Sequence, residues 1–132
     1  MLSISRALLL LATLVATSEA QSNTTNVTLP TKVTLNLTAH KGVFYTSIVR
    51  VVPGQVLEVL LDENPTTGYQ WQTVSEEFTQ TSIGKVLRYR NESYTPRTAE
   101  EVQLAGMGGT LVIEYDVIAS GGGNLILYNA RP

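Results

Sequence analysis

Few side chains in this sequence could attack, protonate or ligate anything. There is no cysteine, so neither a thiol nucleophile nor a thiolate metal site can be built. The one histidine, His40, falls in Thr38-Ala-His-Lys-Gly42, which reads as a turn with no Ser or Asp in a recognisable catalytic setting. Glu76-Glu77 and Glu100-Glu101 are adjacent carboxylates. A glycosidase-type pair can be drawn from anywhere in a fold, but these positions read better as solvated acids. Gly106-Met107-Gly108-Gly109 lacks both the strand-to-helix context and the lysine of a phosphate loop. The expectation is a chain with no catalytic residue, no metal and no cofactor.

Recognition chemistry is better represented. Asp62-Glu-Asn-Pro-Thr-Thr-Gly-Tyr-Gln-Trp71 puts turn formers between two apolar runs. Pro65 fixes its own φ and pushes Asn64 toward an extended conformation. Gly68 can take positive φ and reverse the chain. Thr66 and Thr67 sit between them, each with a hydroxyl that donates and accepts and a methyl that sheds water. Such a tip suits a polar cleft, and ordering it before binding lowers the cost of association. An ordinary turn that happens to contain threonine fits the same residues equally well. Leu104-Ala-Gly-Met-Gly-Gly109 is a second candidate loop, where glycines let a partner approach the main chain.

The elements that must hold these loops read as strands. Val33, Leu35 and Leu37 alternate with polar residues. Val43–Val51 is β-branched and aromatic, and Val52-Pro-Gly-Gln55 supplies a turn. Val56–Leu61, the Tyr69–Thr73 stretch, Val86–Arg90, Thr110–Ala119 and a run from Leu125 to Tyr128 follow. Asn91–Gln103 reads as a long polar connection, and Ser120–Gly123 as a turn. Leu111, Ile113, Tyr115 and Val117 should share one buried face. No segment carries a convincing helical period. Short strands punctuated by Gly and Pro point to an all-β sandwich, with no cysteine pair to staple it.

Residues 1–20 are set apart. Arg6 precedes the apolar run Ala7–Ala16, and Ser18-Glu-Ala20 offers small residues for cleavage, so a signal peptide is expected. The run is too short to span a bilayer, although an N-terminal anchor is the competing reading. Residues 21–31 form a polar, flexible lead-in and 32–132 the sandwich domain, with no membrane contact after cleavage. Asn23, Asn26, Asn36 and Asn91 are glycosylation acceptors by their Asn-X-Ser/Thr context. The expected location is secreted or endosomal/lysosomal. With a formal net charge of -2 and no Lys/Arg run, nucleic-acid binding lacks its electrostatic footprint.

The order N-P-T-T-G-Y-x-W, then G-x-G-G, then R-P resembles the chagasin family of cysteine-peptidase inhibitors. Here these are Asn64–Gly68 with Tyr69 and Trp71, Gly106–Gly109, and Arg131-Pro132. Tyr89–Pro96 and Gly123–Tyr128 fall where the family has comparable segments, so the resemblance covers about Val43 to Pro132. It implies an immunoglobulin-like β-sandwich presenting three neighbouring loops to the cleft of papain-like peptidases. The first loop would enter the catalytic centre, with Thr66 nearest the enzyme's Cys-His pair and Thr67 in support. Gly106, Met107, Gly108 and Gly109 would lie along the enzyme as extended main chain, and Arg131 would make polar contacts on the other flank. Inhibition would be reversible and the inhibitor a monomer.

The family motif continues as R-P-W and then a final strand, whereas this sequence carries Arg131-Pro132. The resemblance thus implies a C-terminally truncated sandwich lacking its last strand, with the edge of that strand's partner unpaired and part of the core uncovered. It also implies loss of an interfacial Trp, a typical hot spot of ~2 kcal/mol or more, or roughly 30-fold in affinity. Two other readings stand beside the inhibitor: a secreted adhesion or ligand-binding sandwich with structural loops, and a small hydrolase built on a carboxylate pair.

Overall fold

The computed structural model describes residues 8–16, 30–73, 83–98 and 108–132. Within them lie eight strands: β1 Leu8–Ala16, β2 Lys32–Asn36, β3 Phe44–Val51, β4 Val56–Glu63, β5 Gln70–Thr73, β6 Leu87–Pro96, β7 Gly109–Val117 and β8 Gly121–Ala130. A single helical turn, Ile83–Val86, precedes β6. The strands form two four-stranded sheets, ordered β3-β1-β8-β5 and β2-β4-β7-β6. The fold is all-β and a sandwich, as the strand pattern predicts.

Alternation builds the central pair of the second sheet. Leu57, Val59 and Leu61 of β4 point inward, and opposite them in antiparallel register are Tyr115, Ile113 and Leu111 of β7. Successive side chains of a strand face opposite sides, so one register buries both sets at once. Leu125 and Leu127 of β8 and Val49 and Val51 of β3 complete the core from the other sheet. The crossing from β3 to β4 is the Val52–Gln55 turn, where Gly54 has φ 95°. Gln55 is the buried polar residue there. Its Oε1 accepts from Val52 N at 2.8 Å and its Nε2 donates to Pro30 O at 2.7 Å, so burial leaves neither group unpaired. Pro30 and Thr31 of the expected lead-in are thus tied to the domain, Thr31 O also accepting from Val56 N.

Three features depart from the sequence reading. β6 continues through Asn91–Pro96, which reads as a polar connection, because an edge strand paired on β7 keeps its ladder while almost every side chain faces solvent. β8 begins at Gly121 rather than after the glycines, since Gly121–Gly123 already pair with β1. The third concerns β1. The apolar stretch of the expected leader is a strand here, parallel to β3 and antiparallel to β8, with Ala12, Leu14 and Ala16 buried. The described sandwich therefore draws on residues 8–16 as well as on the strands from Lys32 onward. β8 is paired on both sides, by β1 and by β5. Among the described residues no helix is long and apolar enough to cross a membrane.

Candidate functional site

The first loop is built by its own side chains. Pro65–Thr67 makes one turn of 3-10 helix, with Asn64 as its N-cap in extended conformation (φ -128°, ψ 93°). Asn64 Oδ1 accepts from Thr66 N at 3.2 Å and from Thr66 Oγ1 at 2.6 Å. Thr67 Oγ1 donates to Asn64 O at 2.7 Å and accepts from Tyr69 N at 3.3 Å. Gly68 closes the turn at φ 76°, its N–H reaching Pro65 O at 3.1 Å. The positive φ is the reason a glycine stands there. Pro65, Thr66, Thr67 and Gly68 are all exposed, so the tip is held by bonds within its own loop while its surface faces solvent.

The base of the loop is braced from several directions. The Trp71 indole N–H donates to Asp62 O at 2.9 Å. The Asp62 carboxylate takes Arg97 and, at 3.3 Å, Lys41. Gly108, at the end of the second candidate loop, packs so closely that a Cβ there would lie 2.8 Å from Glu63 O and 3.2 Å from Asn64 Cβ. The Arg131 guanidinium lies over the Tyr69 ring, 4.8 Å from its centroid, a cation–π contact of about 0.5–1 kcal/mol at an exposed position.

The described members of all three sequence motifs therefore meet at one end of the sandwich: Asn64–Tyr69, Gly108 and Gly109, and Arg131 with Pro132. Gly106 and Met107 lie outside the described residues, as do Glu76, Glu77, Glu100, Glu101, Asn23 and Asn26. Asn36 and Asn91 are exposed, the former's Oδ1 accepting from Thr38 N and Oγ1. His40 is a turn residue, its N–H on Leu37 O and its ring edge-on to Tyr45. Among the described residues no cluster of His, Asp and Glu could hold a metal ion.

A cleft of about 410 Å³ lies beside the first loop, lined by Glu63, Pro65, Trp71, Glu92 and Tyr94 among others. Partial burial pushes the Glu63 carboxyl above its usual 4.5, the nearby Glu92 adding to the rise while the Trp71 backbone N–H opposes it. Sequence reading missed Glu63, Asp62 and Arg97. The raised value fixes a sign: folding favours the protonated Glu63, so its contribution is full below pH 4.5 and is lost as pH rises through the folded-state value. Glu63→Gln should accordingly raise the melting temperature at pH 7, with the difference vanishing below about pH 4. A variant that melts lower than wild type at pH 7 would contradict this.

The family model described as "Chagasin family peptidase inhibitor I42" matches residues 50–132, more than half of the chain. The chain belongs to the chagasin family. It is an inhibitor rather than an enzyme, and cysteine peptidases are the partner class that membership indicates. Among curated proteins none matches the sequence. Among solved structures, the crystal structure of a cysteine protease inhibitor from Entamoeba histolytica is similar at 13% identity. It covers 76% of this chain and 69% of its own, with a TM-score of 0.47. The chagasin-family match spans β4 through β8 and both ends of the three-loop cluster.

Proposed function

We propose that this chagasin-family chain inhibits papain-like cysteine peptidases reversibly, as a monomer, by inserting Asn64–Gly68 into the active-site cleft. One observation carries the reading: an exposed Thr66-Thr67 tip is held in one shape by bonds internal to its loop, beside Gly108-Gly109 and Arg131. A preformed loop gives up little conformational freedom on binding. Inhibition by occupancy needs no bond chemistry from the inhibitor. Gly108 would offer main chain to one wall of the cleft, Gly109 behind it being buried as the first residue of β7, and Arg131, already stacked on Tyr69, polar contacts to the other.

Titration of active papain with the full chain tests this. Saturable inhibition that is recovered on dilution is expected. Thr66→Ala with Thr67→Ala should weaken it about tenfold or more, the equivalent of roughly 1.4 kcal/mol, with the melting temperature nearly unchanged. Undiminished inhibition by the double variant would sink the insertion mode. No inhibition by folded wild-type chain would sink the choice of papain-like targets.

A further inference from the structure

β1 occupies an unusual place. Leu9–Ala16 pairs in parallel with Phe44–Val51, while Leu8–Ala16 pairs antiparallel with Asn129–Gly121. Among the described strands β3 has no other neighbour in its sheet. Without β1, β3 would be detached from β8, and two rows of backbone donors and acceptors would open onto one gap. The gap is shaped for small and aliphatic residues at alternate positions. Ala12, Leu14 and Ala16 are 1%, 0% and 5% exposed and join the core containing Leu125, Leu127, Val49 and Val51. On the opposite face, Thr13 Oγ1 donates to Asn124 Oδ1 at 3.3 Å. Yet this segment is also the apolar run that reads as an export leader, and one molecule cannot both lose it behind Ala20 and keep it as a strand.

We propose that the space between β3 and β8 is a strand-accepting site whose ligand is the chain's own Leu8–Ala16. The folded sandwich is the form that retains this segment, and cleavage after Ala20 converts the acceptor into an open groove. The groove takes an extended apolar peptide by main-chain pairing on both edges, which supplies affinity, and by the Ala12, Leu14 and Ala16 positions, which supply selectivity. This reading is independent of which peptidase the loops engage, because its tests do not use inhibition.

The absence of native cysteine makes the first test clean. In the full chain, Thr13→Cys with Asn124→Cys places two thiols on register partners, and oxidation should give a disulfide within the monomer. Thr13→Cys with Gly122→Cys, two residues out of register, should give far less. Equal cross-linking of the two pairs, or none in the first, would overturn the proposal. For the second, a specific protease site is introduced into residues 22–28 of the full chain and cut after folding. The N-terminal fragment should co-elute with the remainder, and an added synthetic peptide of residues 8–16 should exchange with it. Leu14→Asp should release the fragment and lower the melting temperature by about 10 °C or more. A wild-type fragment that dissociates while the remainder keeps its melting temperature would show that no strand is needed there. A Leu14→Asp chain that does not fold leaves the cross-link to decide.

Discussion

Asn64→Ala should weaken peptidase inhibition by roughly 5- to 30-fold, about 1–2 kcal/mol, and leave the sandwich intact. The side chain of Asn64 caps the 3-10 turn by accepting from both Thr66 N and Thr66 Oγ1. Alanine can adopt the extended φ and ψ of this position, so nothing forces the backbone to move. What is lost is the restraint on the tip. Thr66 would then sample other rotamers and turn shapes, and the cost of ordering it would fall on binding. Asn64→Asp keeps the acceptor and should recover most of the loss. A cap alone is worth about 0.5–2 kcal/mol, and since the capped element is a single exposed turn, global stability should shift only slightly. Inhibition constants and melting curves for both variants check this. An Asn64→Ala chain that inhibits as well as wild type would mean that the loop's internal bonds do not matter to binding.

Gly109→Ala should be the most damaging glycine-to-alanine change among the described glycines for which a Cβ contact is known. A Cβ on Gly109 would collide with the Thr95 carbonyl oxygen and come within 2.8 Å of both Pro96 Cα and Tyr94 Cε2. Two of those atoms are backbone in the β6 edge, which pairs with β7 at Pro96↔Gly109, so relief requires moving the strand. Overpacking of this kind typically costs 1–3 kcal/mol where side chains can yield. Here the upper part of that range or beyond is expected, a fall in melting temperature of about 10 °C or more. Gly68→Ala provides the comparison. Nothing lies within 4 Å of a Cβ at Gly68, and only its positive φ resists, at about 1–2 kcal/mol. Thermal unfolding of the two variants separates steric from conformational demand. A Gly109→Ala chain as stable as Gly68→Ala would refute the packing account.

The parts of the fold visible in the sequence were those where one strand writes its own burial. Leu111, Ile113, Tyr115 and Val117 alternate with polar residues and do line the core. The β6 tail hides because an exposed edge strand needs no apolar side chains to keep its ladder. β1 hides for the opposite reason: Leu8–Ala16 is apolar at nearly every position, so period two vanishes and the run looks like a leader. At the site, Asn64, Pro65 and Gly68 announce their turn because each acts on its immediate neighbours. Asp62 gathering Trp71, Arg97 and Lys41, and Arg131 stacking on Tyr69, depend on chain segments that meet only after folding. No local pattern records such meetings.

The position of β1 also sets an order of events. Its antiparallel partner is β8, with Leu8 opposite Asn129, so β1 can meet β3 early but gains its second neighbour only when β8 has emerged. The sheet β2-β4-β7-β6 can be complete by Val117, but β3 cannot be joined to β8 before β1 and β8 come together. Pairings this remote make folding slow. Until then the N-terminal segment stays extended and apolar, a handle that export factors or chaperones can hold before the sandwich claims it.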